Sequence, residues 1–157
     1  MDLQKIVPAD INTVRLKLKL KNFYSHQRKQ YHSTQILAEL LENQPADTDK
    51  IVGLTDVDIY IPILTFLFGE AQLCGKGALV STYRLHNSFY GLPKDDSLFY
   101  ERTLKEVIHE LGHTLGLVHC ANFECIMHSS TAIEDTDLKK AMYCLDCKAI
   151  LQEKCCG

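Results

Sequence analysis

Residues 109–119 read HELGHTLGLVH, and the spacing of these three histidines constrains the local fold more tightly than any other stretch of the chain. On a helix, residues i and i+4 are offset by about 40° around the axis and ~6 Å along it, so His109 and His113 can present their imidazoles to one ion. A third ligand six residues further along an unbroken helix would point about 240° away, roughly 9 Å beyond the second. His119 can therefore join the pair only if the helix stops in between. Gly116 supplies the break, because glycine takes positive φ without steric cost and so ends a helix and turns the chain back. Three neutral imidazoles suit zinc and leave its fourth position open to water. Glu110 is not needed as a ligand. Its natural chemistry beside the first ligand is that of a general base, taking a proton from water activated at the metal and passing it to a leaving amine. Histidine pairs at this spacing are common, but agreement of three histidines, Glu110 and Gly116 has a chance frequency on the order of 10⁻⁵.

The rest of the chain is read as a single domain over 1–157, since 157 residues with 46% hydrophobic and 24% charged content can bury one core. A net charge of -3 gives no field for nucleic acid or an anionic membrane, so neither is expected as a partner and the chain is read as a monomer. The basic residues of 15–32 alternate as on one side of a strand and read as a solvated face. MDLQKIVPADINTV lacks the apolar core of a signal peptide, and no stretch nears the ~20 apolar residues of a membrane span, so a cytoplasmic protein is expected.

Alternation predicts a strand over 11–20, INTVRLKLKL, and further strands over 50–60, 63–71 and 78–85. Helical spacing predicts a helix over 33–43 behind a Ser33 cap, an active-site helix over 98–115 capped by Asp95, Asp96 or Ser97, and a final helix over 137–152. This order suggests helices layered on a mixed sheet.

HELGHTLGLVH is similar to the signature of the metzincin clan of zinc peptidases. The clan has a tight turn whose methionine lies beneath the metal site, and Met127 in ECIMHSS stands at a fitting distance, where it would pack as a hydrophobic floor. Cys120, Cys125, Cys144 and Cys147 form CxxxxC and CxxC pairs on either side of that turn. Four thiolates at such spacings suit a closed tetrahedral zinc site; a redox CxxC and two disulfides are the rival readings. With CLDC following HELGHTLGLVHCANFECIM, and with GLTDVDIY, FLFGEAQ and GALVSTYRL upstream, residues 50–147 resemble the archaemetzincins.

That resemblance implies two zinc ions per chain. The catalytic ion would sit on His109, His113 and His119 with Glu110 as base, and the structural ion on the four cysteines. It implies a compact metzincin-like α/β domain: a mixed twisted sheet with one antiparallel edge strand, packed on an N-terminal helix and the active-site helix, with a C-terminal helix. Residues 77–85 are the candidate edge strand, so that Ala78, Val80 and Thr82 would bind substrate through main chain. The expected activity is hydrolysis of peptide or protein substrates. The alternatives are a zinc protein of this fold that binds peptides with little turnover, against which Glu110 argues, and a redox protein with a reactive thiol. His26 and His32 read as solvated, His86 and His128 as loop residues near the cleft, Cys74 as buried packing, and Cys155 and Cys156 as terminal thiols.

Overall fold

The computed structural model describes residues 3–154; Cys155 and Cys156 lie outside the described residues. In chain order the elements are β1 (Tyr24–Ser25), β2 (Gln30–His32), α1 (Ser33–Glu42), β3 (Ile51–Thr55), β4 (Ile59–Tyr60), β5 (Gly69–Ala71), β6 (Gly77–Ser81), α2 (Asp96–Thr114), α3 (Ile133–Leu138) and α4 (Leu145–Glu153). The strands form two small sheets. In one, β2 lies between antiparallel β1 and parallel β4; in the other, β6 lies between parallel β3 and antiparallel β5.

In the sheet that contains residues 77–81, the antiparallel edge strand is thus β5 and not the segment 77–85. β6 is buried at every position and hydrogen-bonded on both sides, with Ala78 opposite Val52 and Ala71, and Val80 opposite Leu54 and Gly69. Thr82 lies beyond the strand and gives its N–H to the Thr55 carbonyl at 2.8 Å. Ala78, Val80 and Thr82 therefore have no free main-chain edge to offer a substrate. The continuous apolar run ALV is the mark of a strand covered on both faces, which belongs in the middle of a sheet. Side chains alternate across β6: Leu79 joins Ile36, Leu37 and Leu40 of α1 in one core cluster, while Ala78 and Val80 point to the opposite face, toward α2.

Residues 11–19 form no strand, and Leu20–Phe23 is a 3-10 turn. The alternation there reports one-sided packing. Leu18 and Leu20 rest against the α1 cluster while Ile11 and Val14 face solvent, and the Lys19 N–H reaches Glu39 Oε1 at 3.0 Å. The expected strand over 50–60 splits into β3 and β4, which join different sheets. Asp58 marks the division, its carboxylate held by Nε and Nη2 of Arg84, each at 2.8 Å, and by Gln30 at 3.0 Å. Of 63–71 only β5 is a strand, preceded by a lone bridge from Leu67 to Ile59.

Helix α2 is capped by Asp95, whose side chain accepts from the Leu98 N–H at 2.9 Å. Helix α1 is capped by His32 in place of Ser33. The expected helix over 137–152 is two helices separated by a non-helical crossing over 139–144. Leu138 and Leu145, which set the expected apolar stripe, are 70% and 82% exposed, whereas Ala141, Tyr143 and Cys147 are buried. Tyr143 gives its hydroxyl to the Ile108 carbonyl at 3.0 Å, so the crossing is pinned to the middle of α2. Among the described residues no helix is long and apolar enough to cross a membrane.

Candidate metal centres

The C-terminal end of α2 turns back by a two-bond motif at glycine. The Gly116 N–H bonds to the His113 carbonyl and the Leu117 N–H to the Gly112 carbonyl, both at 3.0 Å, with Gly116 at φ 97°. This reverses the chain within three residues and returns His119 toward His109 and His113. Their ring centroids stand 5.4 and 5.0 Å from that of His119, and one ring nitrogen from each of the three lies within 4.8 Å of the others.

The main chain also dictates which nitrogens face inward. His109 Nδ1 lies 2.7 Å from the Ile126 carbonyl and His113 Nδ1 2.7 Å from the Leu117 carbonyl. A carbonyl only accepts, so each Nδ1 carries the proton and each Nε2 is a bare lone pair. Those two Nε2 atoms face one another at 3.2 Å. Two lone pairs at that distance repel unless a cation lies between them. Nitrogens 2.0–2.1 Å from a tetrahedral zinc would be about 3.3–3.4 Å apart. The donor set fits zinc. Burial pushes His109 down to about 3 and lowers His113 and His119 too, with the nearby Lys139 charge acting in the same direction, so all three are neutral. Burial grades from His109 to exposed His119, which leaves the group open on one side.

Glu110 is 5% exposed and faces β5. A Cβ placed on Gly69 would come within 2.6 Å of Glu110 Oε1, so only glycine lets the strand pass this close. Burial, then the charges of Glu106 and Glu70, hold the Glu110 carboxyl well above the usual range, opposed by Lys139. Met127 is fully buried under α2, and a Cβ on Gly112 would overlap its Sδ.

The cysteines form a second group. Cys120 and Cys144 Sγ are 3.8 Å apart and Cys125 and Cys147 Sγ 3.7 Å, with all four sulfurs within 4.8 Å. A disulfide needs about 2.05 Å. Sulfurs about 2.3 Å from a tetrahedral zinc stand roughly 3.75 Å apart. Cys125 Sγ also accepts main-chain N–H groups from Met127 and Cys144, each at 3.4 Å, which favours a thiolate. Cys144 is the N-cap of α4 and Cys147 lies in its first turn.

Among the described residues these are the two metal-capable groups. His86 stacks on Phe99 at 4.0 Å and His128 Nδ1 donates to the Cys120 carbonyl at 2.8 Å. Cys74 is exposed, not buried, and its N–H bonds to the His113 carbonyl at 3.0 Å. Buried Glu106 and Lys139 were not foreseen and have no local signature. Gly69 had one, since glycine inside a strand pattern signals close approach of another group.

The chain matches peptidase family M54 over residues 2–153. It belongs to that family. Membership of M54 places it among the zinc metallopeptidases. Archaemetzincin of Methanocaldococcus jannaschii is 48% identical over 131 residues, 83% of this chain and 71% of the relative. Archaemetzincin of Thermococcus kodakarensis is 50% identical over 97 residues, 62% of this chain, and the match spans only 52% of that relative's length. The crystal structure of archaemetzincin from Archaeoglobus fulgidus, complexed with malonate, superposes at a TM-score of 0.79 with 36% identity, covering 94% of this chain and 85% of that one. That from Methanopyrus kandleri gives 0.77 and 38%, covering 85% and 70%. The M54 chain thus carries the archaemetzincin fold, with β5 as its antiparallel edge.

Proposed function

We propose that this M54 chain hydrolyses peptide bonds, with a catalytic zinc on His109, His113 and His119, Glu110 as general base, and a second, structural zinc on Cys120, Cys125, Cys144 and Cys147. Residues 1–157 work as one domain with two ions. The observation that carries this reading is the pair of unprotonated Nε2 atoms 3.2 Å apart, with buried Glu110 next in the chain to the first of these histidines. When bound, the zinc acidifies water and polarises the scissile carbonyl.

Glu110 handles the proton. Its carboxylate accepts it from the attacking water and returns it to the leaving nitrogen, and burial makes it a stronger base than an exposed glutamate. The tautomer lock on His109 and His113 removes the need to shed ring protons before binding metal. Strand β5 orients the substrate. Its outer edge is unpaired by any other strand among the described residues, and Gly69 brings it against Glu110. An extended peptide adding to Gly69–Ala71 would be held through its main chain with the scissile bond near the base.

The test is Glu110→Ala. This variant is expected to keep both zincs and lower peptide hydrolysis about 10²-fold or more. Cleavage of the best peptide at the wild-type rate would overturn the assignment of the base.

A further inference from the structure

Among the buried charges with no part in the mechanism above, two lie close to the histidine site. Lys139, in the crossing between α3 and α4, and Glu106, one turn before Glu110 on α2, are each 3% exposed. An ammonium is costly to bury, so its partners indicate why it is there. Lys139 Nζ donates to the His128 carbonyl and, at 3.5 Å, to the Ile126 carbonyl. The Ile126 carbonyl is also the acceptor for His109 Nδ1. Between them, the Met127 carbonyl takes the Cys120 N–H at 2.9 Å. Every carbonyl of 126–128 is therefore engaged, two of them by one side chain.

The charges facing Lys139 come from several elements: Glu106 and Glu110 on α2, Asp135 on α3 and Cys125 in the thiol group. Glu106 is itself held by Thr136 Oγ1 at 2.9 Å. The root of Lys139 is fixed as well, because Arg102 grips the Asp137 carboxylate at 2.7 and 2.8 Å and Lys105 reaches the Thr136 carbonyl at 3.2 Å. The ammonium thus arrives on a rigid support, at the point where the methionine turn meets the first histidine.

We infer that Lys139 is a positioning residue of the three-histidine site: its ammonium clamps the carbonyls of Ile126 and His128 around Met127 and, through Ile126, aims the His109 imidazole. The inference rests on the proposed role of His109 as a zinc ligand. Without the clamp the His128 carbonyl has no other donor among the described residues, and the turn must rotate to find one. Rotation of the turn carries the Ile126 carbonyl away from Nδ1, and the ring that it orients loses its lock.

Lys139→Met keeps the length of the side chain and removes the ammonium. Zinc affinity of the three-histidine site is measured by chelator competition, and its geometry by the visible spectrum of the cobalt-substituted protein. The thiolate-to-cobalt band of the four-cysteine site serves as the internal control. Loss of about tenfold or more in affinity, the scale for removing the partner that orients a ligand, is expected at the histidine site with the cysteine site filled. The cobalt spectrum should change, and Lys139→Arg, which keeps a charged donor fork, should restore much of both. Wild-type affinity and spectrum in Lys139→Met would overturn the inference, as would equal loss at both sites without rescue by arginine. Should the methionine variant fail to fold, Lys139→Gln carries the test, since its amide nitrogen is uncharged and one bond short of the ammonium, and unchanged affinity would again overturn the inference. These readouts need no turnover, so their failure is distinct from that of the peptidase reading, which Glu110→Ala decides.

Discussion

Replacing Cys144 and Cys147 together with serine should empty both metal sites, although neither residue belongs to the histidine group. The structural link is short. Cys120 directly follows His119, its N–H bonds to the Met127 carbonyl at 2.9 Å, and its carbonyl accepts from His128 Nδ1 at 2.8 Å. Cys125 Sγ takes the N–H groups of Met127 and Cys144, and Cys125 and Cys147 sit in the core cluster that holds Ile108, Leu117, Ile126 and Met127. Structural zinc sites in small peptides contribute about 10–16 kcal/mol, against about 5–15 kcal/mol for the net stability of a whole domain. If only about 4 kcal/mol of this is realised here, a chain of this size should melt about 8–16 °C lower. Zinc stoichiometry and melting temperature, each with and without reductant, measure both consequences. The double variant should hold less than one zinc per chain and melt early whether or not reductant is present. Retention of the histidine-site zinc with an unchanged melting temperature would show that the four cysteines do not scaffold that site. A dependence on reductant would point instead to disulfide chemistry.

Met127→Leu should cost under about 1.5 kcal/mol and keep both metals, because the side chain acts by filling space under Gly112; zinc loss on dialysis would show that the sulfur itself matters. Gly69→Ala should keep both zincs while lowering hydrolysis, since the added Cβ meets Glu110 Oε1; wild-type kcat/KM would refute the contact between edge strand and base. The Asp135 carboxylate accepts from the Thr131 and Ala132 N–H groups at 3.0 and 3.1 Å, which holds it below the usual range. Its contribution is therefore complete above the unfolded-state value and is lost as pH falls through the depressed one. Asp135→Asn should flatten the acid side of the stability curve, and superimposable curves would remove this account.

The features legible in the sequence were those decided within a few residues. His109 and His113 share a face because a helix repeats every 3.6 residues, and Gly116 ends that helix because an L side chain resists φ 97°. The two cysteine pairs could be read from their spacing, although the place of Cys144 and Cys147 at the start of α4 could not. What tertiary structure decided was which segments meet. The segments 63–71 and 78–85 both read as strands, and the second became central because β3, more than twenty residues earlier, pairs with its far side. The alternation of 11–20 was real, but period two describes any extended chain with one face on a core, with or without a ladder partner. Leu138, Ala141, Leu145 and Ala149 have the spacing of one helix, yet the chain between α3 and α4 is non-helical, and there Tyr143 reaches Ile108 and Lys139 reaches the methionine turn. Those bonds join groups 35 and 11 residues apart. Local periodicity cannot register a partner at such distances, because it is chain packing, not spacing, that brings the two groups together.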